Sequence, residues 1–280
     1  MESLEAELDR ARDLDVAALA DAIESIGFEC TRCGACCKAV EGCGDGDDDV
    51  GNADTGDDNA RDDGASAREA HDHVATVFPD EVRRLQRAAA ESEGDDEDDT
   101  ETAGTGTGTE PYDWRDVARP MPYGLTGGAD GPEGETFEWA LGTDDCGDCR
   151  FYAEDAANAE AGEGGRDDAG PGRCTVHADR PLVCRTYPFS VALGGTSQPM
   201  GEAVDGEGMV RAHECEGLGR DISRADAEEL AGALRERAVR ELEEAIAVRD
   251  NYEPVATSRG EVVVHDSEGA KRPDGSPVER

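Results

Sequence analysis

Four cysteines stand within eight residues near the start of the chain, Cys30, Cys33, Cys36 and Cys37, in the run FECTRCGACCK. Two overlapping Cys-x-x-Cys steps ending in a doubled cysteine place four soft ligands where a tight turn can bring each sulfur to one side. Structural cysteines used as small apolar side chains do not cluster in this way. The chemistry on offer is thiolate coordination of a soft metal centre. The first three cysteines follow the bacterial ferredoxin spacing, but Val40 occupies the place of the fourth and no proline follows, which disfavours a simple ferredoxin. A Cys-x3-Cys-x2-Cys loop of the radical-SAM kind is absent as well.

Further cysteines recur at Cys149, Cys174, Cys184 and Cys215. Around Cys184, Asp179 is expected to cap a short turn that Arg180-Pro181 opens and Tyr187-Pro188 ends. Arg180 and Arg185 would then sit near the sulfurs and offset the negative charge of a polythiolate site. His177 follows Cys174 at ligand spacing and His213 precedes Cys215 by two, yet thiols already suffice, so both read as polar neighbours. Cys146 forms a Cys-x-x-Cys with Cys149, as a substitute ligand or half of a redox pair. Cys43 reads as a bystander, and His71 and His73 as solvent-facing.

These residues resemble the cysteine-cluster proteins of the CxxCxxCC or YkgJ type, which are zinc- or iron-chelating domains. The matching pieces are Phe28 to Cys37, Cys149-Arg-Phe151, Cys174-Thr-Val-His177, Arg180 to Pro188 and Cys215-Glu-Gly-Leu-Gly219, in the same order. The resemblance implies eight metal ligands: Cys30, Cys33, Cys36, Cys37, Cys149, Cys174, Cys184 and Cys215. Eight thiols suit two four-thiolate sites, or one cluster and a mononuclear site, holding zinc, iron or an Fe–S cluster. Adjacent Cys36 and Cys37 would strain a single tetrahedral ion and so suit two neighbouring centres. The same cysteine cluster occurs in proteins resembling flagellin lysine methylases, which keeps open an enzyme of methyltransferase or redox type. No glycine-rich strand–turn–helix for a nucleotide or methyl donor supports that alternative.

The elements that must position these thiols are legible from periodicity. Leu4, Leu8 and Ala11 share one helical face; Leu19, Ile23 and Ile26 share another after Asp15, a predicted N-cap, with Gly27 as the C-cap glycine. Residues 68–91 regain helical character, with a new helix starting at Pro79. Tyr112, Trp114, Met121 and Tyr123 read as a packed irregular segment. Thr136 to Leu141 alternates like one strand, Ser223 should cap a helix over about 224–250, and Val262 to Val264 should form a short strand. The expectation is one helix-rich α+β domain organised around the cysteine cluster, with core segments about 15–43, 68–91, 112–153 and 172–265. Acidic disordered spacers are expected at about 44–66, 92–110 and 154–171, and a frayed tail at 267–280. With the spacers removed, roughly 200 residues remain, enough for a modest core.

Composition restricts the partners. The chain of 280 residues carries 68 acidic against 27 basic side chains, a formal net charge of -41, and its only lysines are Lys38 and Lys271. Such a balance fits a haloarchaeal-like protein in a salt-rich cytosol, where repulsion between carboxylates is screened over a few ångströms. It disfavours nucleic acid, whose phosphates need a basic footprint, and an anionic membrane surface. The acidic N-terminus has no apolar run of a signal peptide, and no stretch approaches the roughly 18 apolar residues of a membrane span. The expected setting is cytoplasmic, where ten cysteines read as ligands or redox thiols before disulfides.

Overall fold

The computed structural model describes residues 3–39, 74–92, 112–128, 131–153, 172–193, 203–205 and 208–278. Most of the three acidic spacers, with Cys43, His71 and His73, lies outside the described residues. Two hydrophobic clusters organise the rest. In the first, helix α1 (Leu4–Arg12) and helix α2 (Val16–Ile26) pack on the long C-terminal helix. Ser3 caps α1, and Asp15 caps α2 by accepting from the Ala17 and Ala18 amides. Gly27 ends α2 at φ 78°, and a β-carbon there would lie 2.5 Å from the Arg220 carbonyl oxygen, so a side chain is excluded on two counts. Leu8, Ala11, Leu19 and Ile23 are buried against Phe189, Ala212, Leu234 and Leu242. The core therefore begins before residue 15, because α1 contributes to it directly.

The second cluster lies around Trp139, Leu85, Val82, Phe151 and Val264. Here β1 (Thr76–Val77) leads through Phe78 into α3 (Pro79–Ser92), and α4 (Trp114–Val117) leads into β2 (Ala118–Pro120). Val74 to Phe78 are therefore not helical: β1 pairs with β5 (Trp139–Leu141), which also pairs with β2, all antiparallel. The single strand expected over Thr136 to Leu141 is two strands. Glu138 has φ 65°, and this turn of the backbone separates β4 (Gly131–Phe137) from β5. β3 (Thr126–Gly128) and β4 form a hairpin, and β4 pairs in parallel with β11 (Val262–Asp266).

The chain continues through β6 (Tyr152–Ala153), β7 (Arg173–Cys174), α5 (Leu182–Thr186), β8 (Phe189–Val191), β9 (Ala203–Asp205), β10 (Val210–His213) and α6 (Arg224–Asn251). Ser223 caps α6, whose buried Leu234 and Leu242 belong to the first cluster, and α6 also contacts α5 and β11. The tail is not frayed over its described length. β12 (Gly269–Lys271) pairs with β11, the Val278 amide donates to the Ala270 carbonyl at 3.0 Å, and Lys271 lies buried against Asp266 at 2.8 Å. Trp139 donates to the same aspartate at 2.8 Å, so the tail is fastened to the second cluster's central side chain. Helices stand beside several small sheets whose pairings are antiparallel except for β4 with β11, an α+β architecture. Among the described residues no helix is long and apolar enough to cross a membrane.

Candidate metal centre

The thiol loop leaves α2 at Gly27 and is held first to the segment after Cys215. Phe28 bridges Leu218, the Glu29 amide donates to the Gly217 carbonyl at 3.0 Å, and the Gly219 amide donates to the Gly27 carbonyl at 3.0 Å. Those bonds set Cys30 beside Cys215. The loop then turns through Arg32 at φ 59° and Gly34 at φ 77° into a one-turn 3-10 helix, Ala35–Cys37. Gly34 is held to glycine by its conformation and because a β-carbon would meet the Tyr152 ring at 2.5 Å. Arg32 has no such exemption and stores strain in the turn between Cys30 and Cys33.

Beyond the turn the loop is tied to a second segment. The Cys149 amide donates to the Cys37 carbonyl at 2.7 Å, and the Ala39 amide to Asp148 Oδ1 at 2.7 Å. Asp144 holds that segment by accepting from the Cys146 and Asp148 amides at 2.9 and 3.0 Å. β6 and β7 pair Tyr152 with Cys174. Helix α5 then brings Cys184 to the same place. Asp179 does not cap this helix: it closes a 3-10 turn, His177–Asp179, while Pro181 occupies the N-cap position without a side-chain bond of its own.

All eight singled-out cysteines are free thiols. Their mutual electrostatics link them through Cys36. Cys184 is raised well above its ordinary value by burial and then by the charges of Cys149, Cys36 and Cys174, with Arg180 opposing. Burial pushes Cys149 up to about 11, helped by Cys174 and Cys36. Cys37 is raised by its hydrogen bond with Cys36, then by burial and the charges of Cys36, Cys149 and Cys184. Cys215 is raised by burial and feels Cys33, Cys36 and Cys30 instead. Packing separates them: Cys37, Cys149, Cys174 and Cys184, the inner group, lie in or against the second hydrophobic cluster, and Cys30, Cys33, Cys36 and Cys215, the outer group, do not. Cys36 stands between them, 3.9 Å sulfur to sulfur from Cys37, and this bond lowers it to about 7.

Three of the sulfurs share one local device. Cys149 accepts from the Phe151 amide, Cys174 from the Val176 amide and Cys215 from the Gly217 amide, the last at 3.4 Å. A backbone N–H two residues on, aimed at the sulfur, favours the thiolate over the thiol and suits a ligated sulfur. The donor set therefore fits a thiolate-bound metal in chemistry. Among the described residues, no three His, Cys, Asp or Glu side chains have their donor atoms converged for a metal ion.

The other candidates fall elsewhere. His213 is buried with Nε2 at 2.8 Å from Ser190 Oγ, a contact between β10 and β8 within the first core. The ionisation of His177 is depressed by burial and by Arg180 and Arg32, with no thiol contributing. Arg180 reaches Cys36, Cys174 and Cys184 electrostatically, as expected of a charge-balancing neighbour. Arg185 instead lines a cleft of about 360 Å³ with Phe28, Cys30 and Arg180. Cys146 is disulfide-bonded and Cys149 is a free thiol, so the two are not paired with each other, and a disulfide stands where a free ligand or redox thiol was expected. Sequence reasoning missed Glu81, a buried carboxylate that reaches the Cys184 helix; its only signal was an acid three places after Phe78 at a helix start.

The family model for CxxCxxCC, described as "Putative zinc- or iron-chelating domain", matches residues 29–216. That span opens at the residue before Cys30 and closes at the residue after Cys215, enclosing both thiol groups. No curated protein and no solved structure gives a match.

Proposed function

The chain belongs to the CxxCxxCC family of zinc- or iron-chelating domains, and on that premise we propose that its metal is carried at two adjacent thiolate centres. The inner centre uses Cys37, Cys149, Cys174 and Cys184; the outer uses Cys30, Cys33, Cys36 and Cys215. The observation that supports this reading is packing: Cys149 belongs to the second hydrophobic cluster and Cys37, Cys174 and Cys184 pack against it, whereas Cys30, Cys33, Cys36 and Cys215 do not, and Cys36 is an electrostatic neighbour of both sets. Tetrahedral four-sulfur sites accept zinc or iron alike. Metal bound there would neutralise the buried sulfurs and cross-link four separate chain segments, adding its binding energy to folding. Arg180 moderates the charge of the inner group, and the amides of Phe151, Val176 and Gly217 hold the sulfurs oriented.

We assign the inner centre a structural duty and the outer one a duty that needs access, since Cys30 and Cys36 are exposed. If iron and sulfide fill the sites, that duty is electron transfer; if zinc does, it is metal carriage or protein contact. A redox- or methyltransferase-type enzyme is the second reading, and the cleft shared by Cys30, Arg180 and Arg185 is its single support.

Metal and acid-labile sulfide analysis with an absorption spectrum, on protein purified without oxygen in concentrated KCl, tests the assignment. Stoichiometric iron with sulfide and broad visible absorption establishes Fe–S centres. Stoichiometric zinc with a featureless spectrum removes electron transfer. Metal-free protein with eight titratable thiols overturns the reading.

A further inference from the structure

Helix α5 presents Cys184 to the inner group, and five residues cannot hold a helix by their own hydrogen bonds. Its first amide needs an acceptor, and its own N-cap, Pro181, supplies no side chain for the purpose. The acceptor comes from another element. Glu81 Oε1 receives the Leu182 amide at 2.9 Å, and Glu81 Oε2 receives the Phe78 amide at 3.2 Å. One buried carboxylate therefore caps two helices, α3 from within and α5 across 101 residues of chain.

Arg84, one turn along α3, completes the clamp. Its guanidinium lies 3.5 Å from Glu81 and donates to the Asp179 and Arg180 carbonyls at 3.4 and 3.3 Å. The backbone from Asp179 to Leu182 is thus gripped from both its carbonyl and its amide sides. The far end of α5 is held separately. Thr186 Oγ1 donates to the Leu182 carbonyl at 2.8 Å and accepts from buried Arg237 at 3.0 Å. A carboxylate at the amino end and a guanidinium at the carboxyl end both match the direction of the helix dipole.

We propose that Glu81, assisted by Arg84, is a positioning residue for the inner metal centre, fixing the rotation and depth of the helix that delivers Cys184. It touches no sulfur and acts only through the backbone of α5. The inference rests on the two-centre reading above and adds a residue outside the cysteine motif. Its consequence is directional: loosening Glu81 weakens the inner centre specifically, leaving the outer ligands on their own anchor at Leu218.

The test is a double-mutant cycle on the full chain, with zinc affinity measured by competition against a chromogenic chelator and apoprotein melting followed in parallel. Glu81→Gln keeps the volume but one carbonyl oxygen can no longer serve two amides. It should weaken zinc at the inner centre by on the order of tenfold, as loss of a supporting partner does. In a Cys184→Ser background the same change should alter zinc affinity less than about twofold, because the ligand it positions is gone. Additive effects on affinity in the two backgrounds overturn the proposal and leave Glu81 a stabiliser of α3 only. Wild-type protein that takes up no zinc overturns the metal reading and this inference with it, whereas wild-type uptake with an unaffected Glu81→Gln overturns this inference alone. Should Glu81→Gln fail to fold, Arg84→Gln carries the same cycle. Mass-mapped alkylation of the metal-free Arg84→Gln protein should then show faster labelling at Cys184 and an unchanged rate at Cys30; equal acceleration at both sites counts against the proposal.

Discussion

The inner and outer thiol groups differ in what stands behind them. Cys37, Cys174 and Cys184 pack on the second hydrophobic cluster and Cys149 is one of its buried members. The outer four belong to neither cluster, and two of them are exposed. The inner thiols arrive from four segments spread from residue 37 to residue 184, whereas the outer set comes from one short loop and Cys215. A cross-link between distant segments removes more freedom from the unfolded chain than one within a loop. On the proposed assignment the two groups have separate tasks: metal at the inner sulfurs would close a domain poor in aromatic residues, and metal at the outer ones would stay accessible through exposed Cys30 and Cys36.

The sharpest way to break that comparison is to remove one ligand from each side. Cys149→Ser should abolish inner metal and lower the melting temperature of metal-loaded protein by about 10 °C or more, corresponding to a loss of several kcal/mol in a domain of this size. Cys30→Ser should lose outer metal with a much smaller shift, because an exposed side chain at the loop's start is replaced. Calorimetry and metal analysis on the two variants check this, and equal melting shifts would erase the distinction between the groups.

A second, smaller effect is proton coupling. Burial raises the Cys149 thiol to about 11 from 9.0, so metal must displace a proton from it at neutral pH, while the hydrogen bond with Cys37 lowers Cys36 and eases its ionisation. Each proton displaced makes affinity rise about tenfold per pH unit. Zinc uptake by the inner group should therefore steepen with pH more than uptake by the outer group, as competition titrations between pH 6 and 8 would reveal. For metal-free protein the sign reverses. A thiol whose folded pKa lies above its unfolded value stabilises below about pH 9 and loses that contribution as pH climbs through about 11. Apoprotein should melt earlier above pH 9; a flat profile there would mean that Cys149 is not buried as a thiol.

What the sequence made legible follows from the range of each interaction. Asp15, Gly27 and Ser223 were readable because capping is decided within a few residues. The thiol loop stood out because soft ligands at short spacing have few other uses, while the four later cysteines were singled out through the family resemblance. The break at Glu138 was not, since alternation of apolar residues carries on through Phe137 and Trp139 while the backbone turns between them. Nor was the C-terminal hairpin, whose polar residues look like a tail until Lys271 finds buried Asp266 and Trp139 shares that carboxylate. The approach of Cys149 to Cys37 was equally hidden, because it runs through a backbone bond across 112 positions. Tertiary partners of single side chains leave no period in the sequence.

The smallest expected effect concerns Arg180, and it separates charge from position. Its guanidinium opposes the upward shift of Cys174 and Cys184 and contributes to lowering Cys36, and its Nε donates to the His177 carbonyl at 3.1 Å. Arg180→Lys keeps the charge and loses the planar donor; Arg180→Gln loses the charge. Partial exposure and solvent screening limit the electrostatic share to about 1 kcal/mol, so Arg180→Gln should weaken inner metal only a few-fold. Because that effect is Coulombic, it should shrink as KCl is raised from 0.1 to 1 M, where the screening length falls from about 10 to about 3 Å. Arg180→Lys should then lie close to wild type at every salt concentration. If instead both variants weaken the centre equally and salt changes nothing, Arg180 acts by holding the His177 turn, and the inner sulfurs owe their charge balance to their amide donors alone.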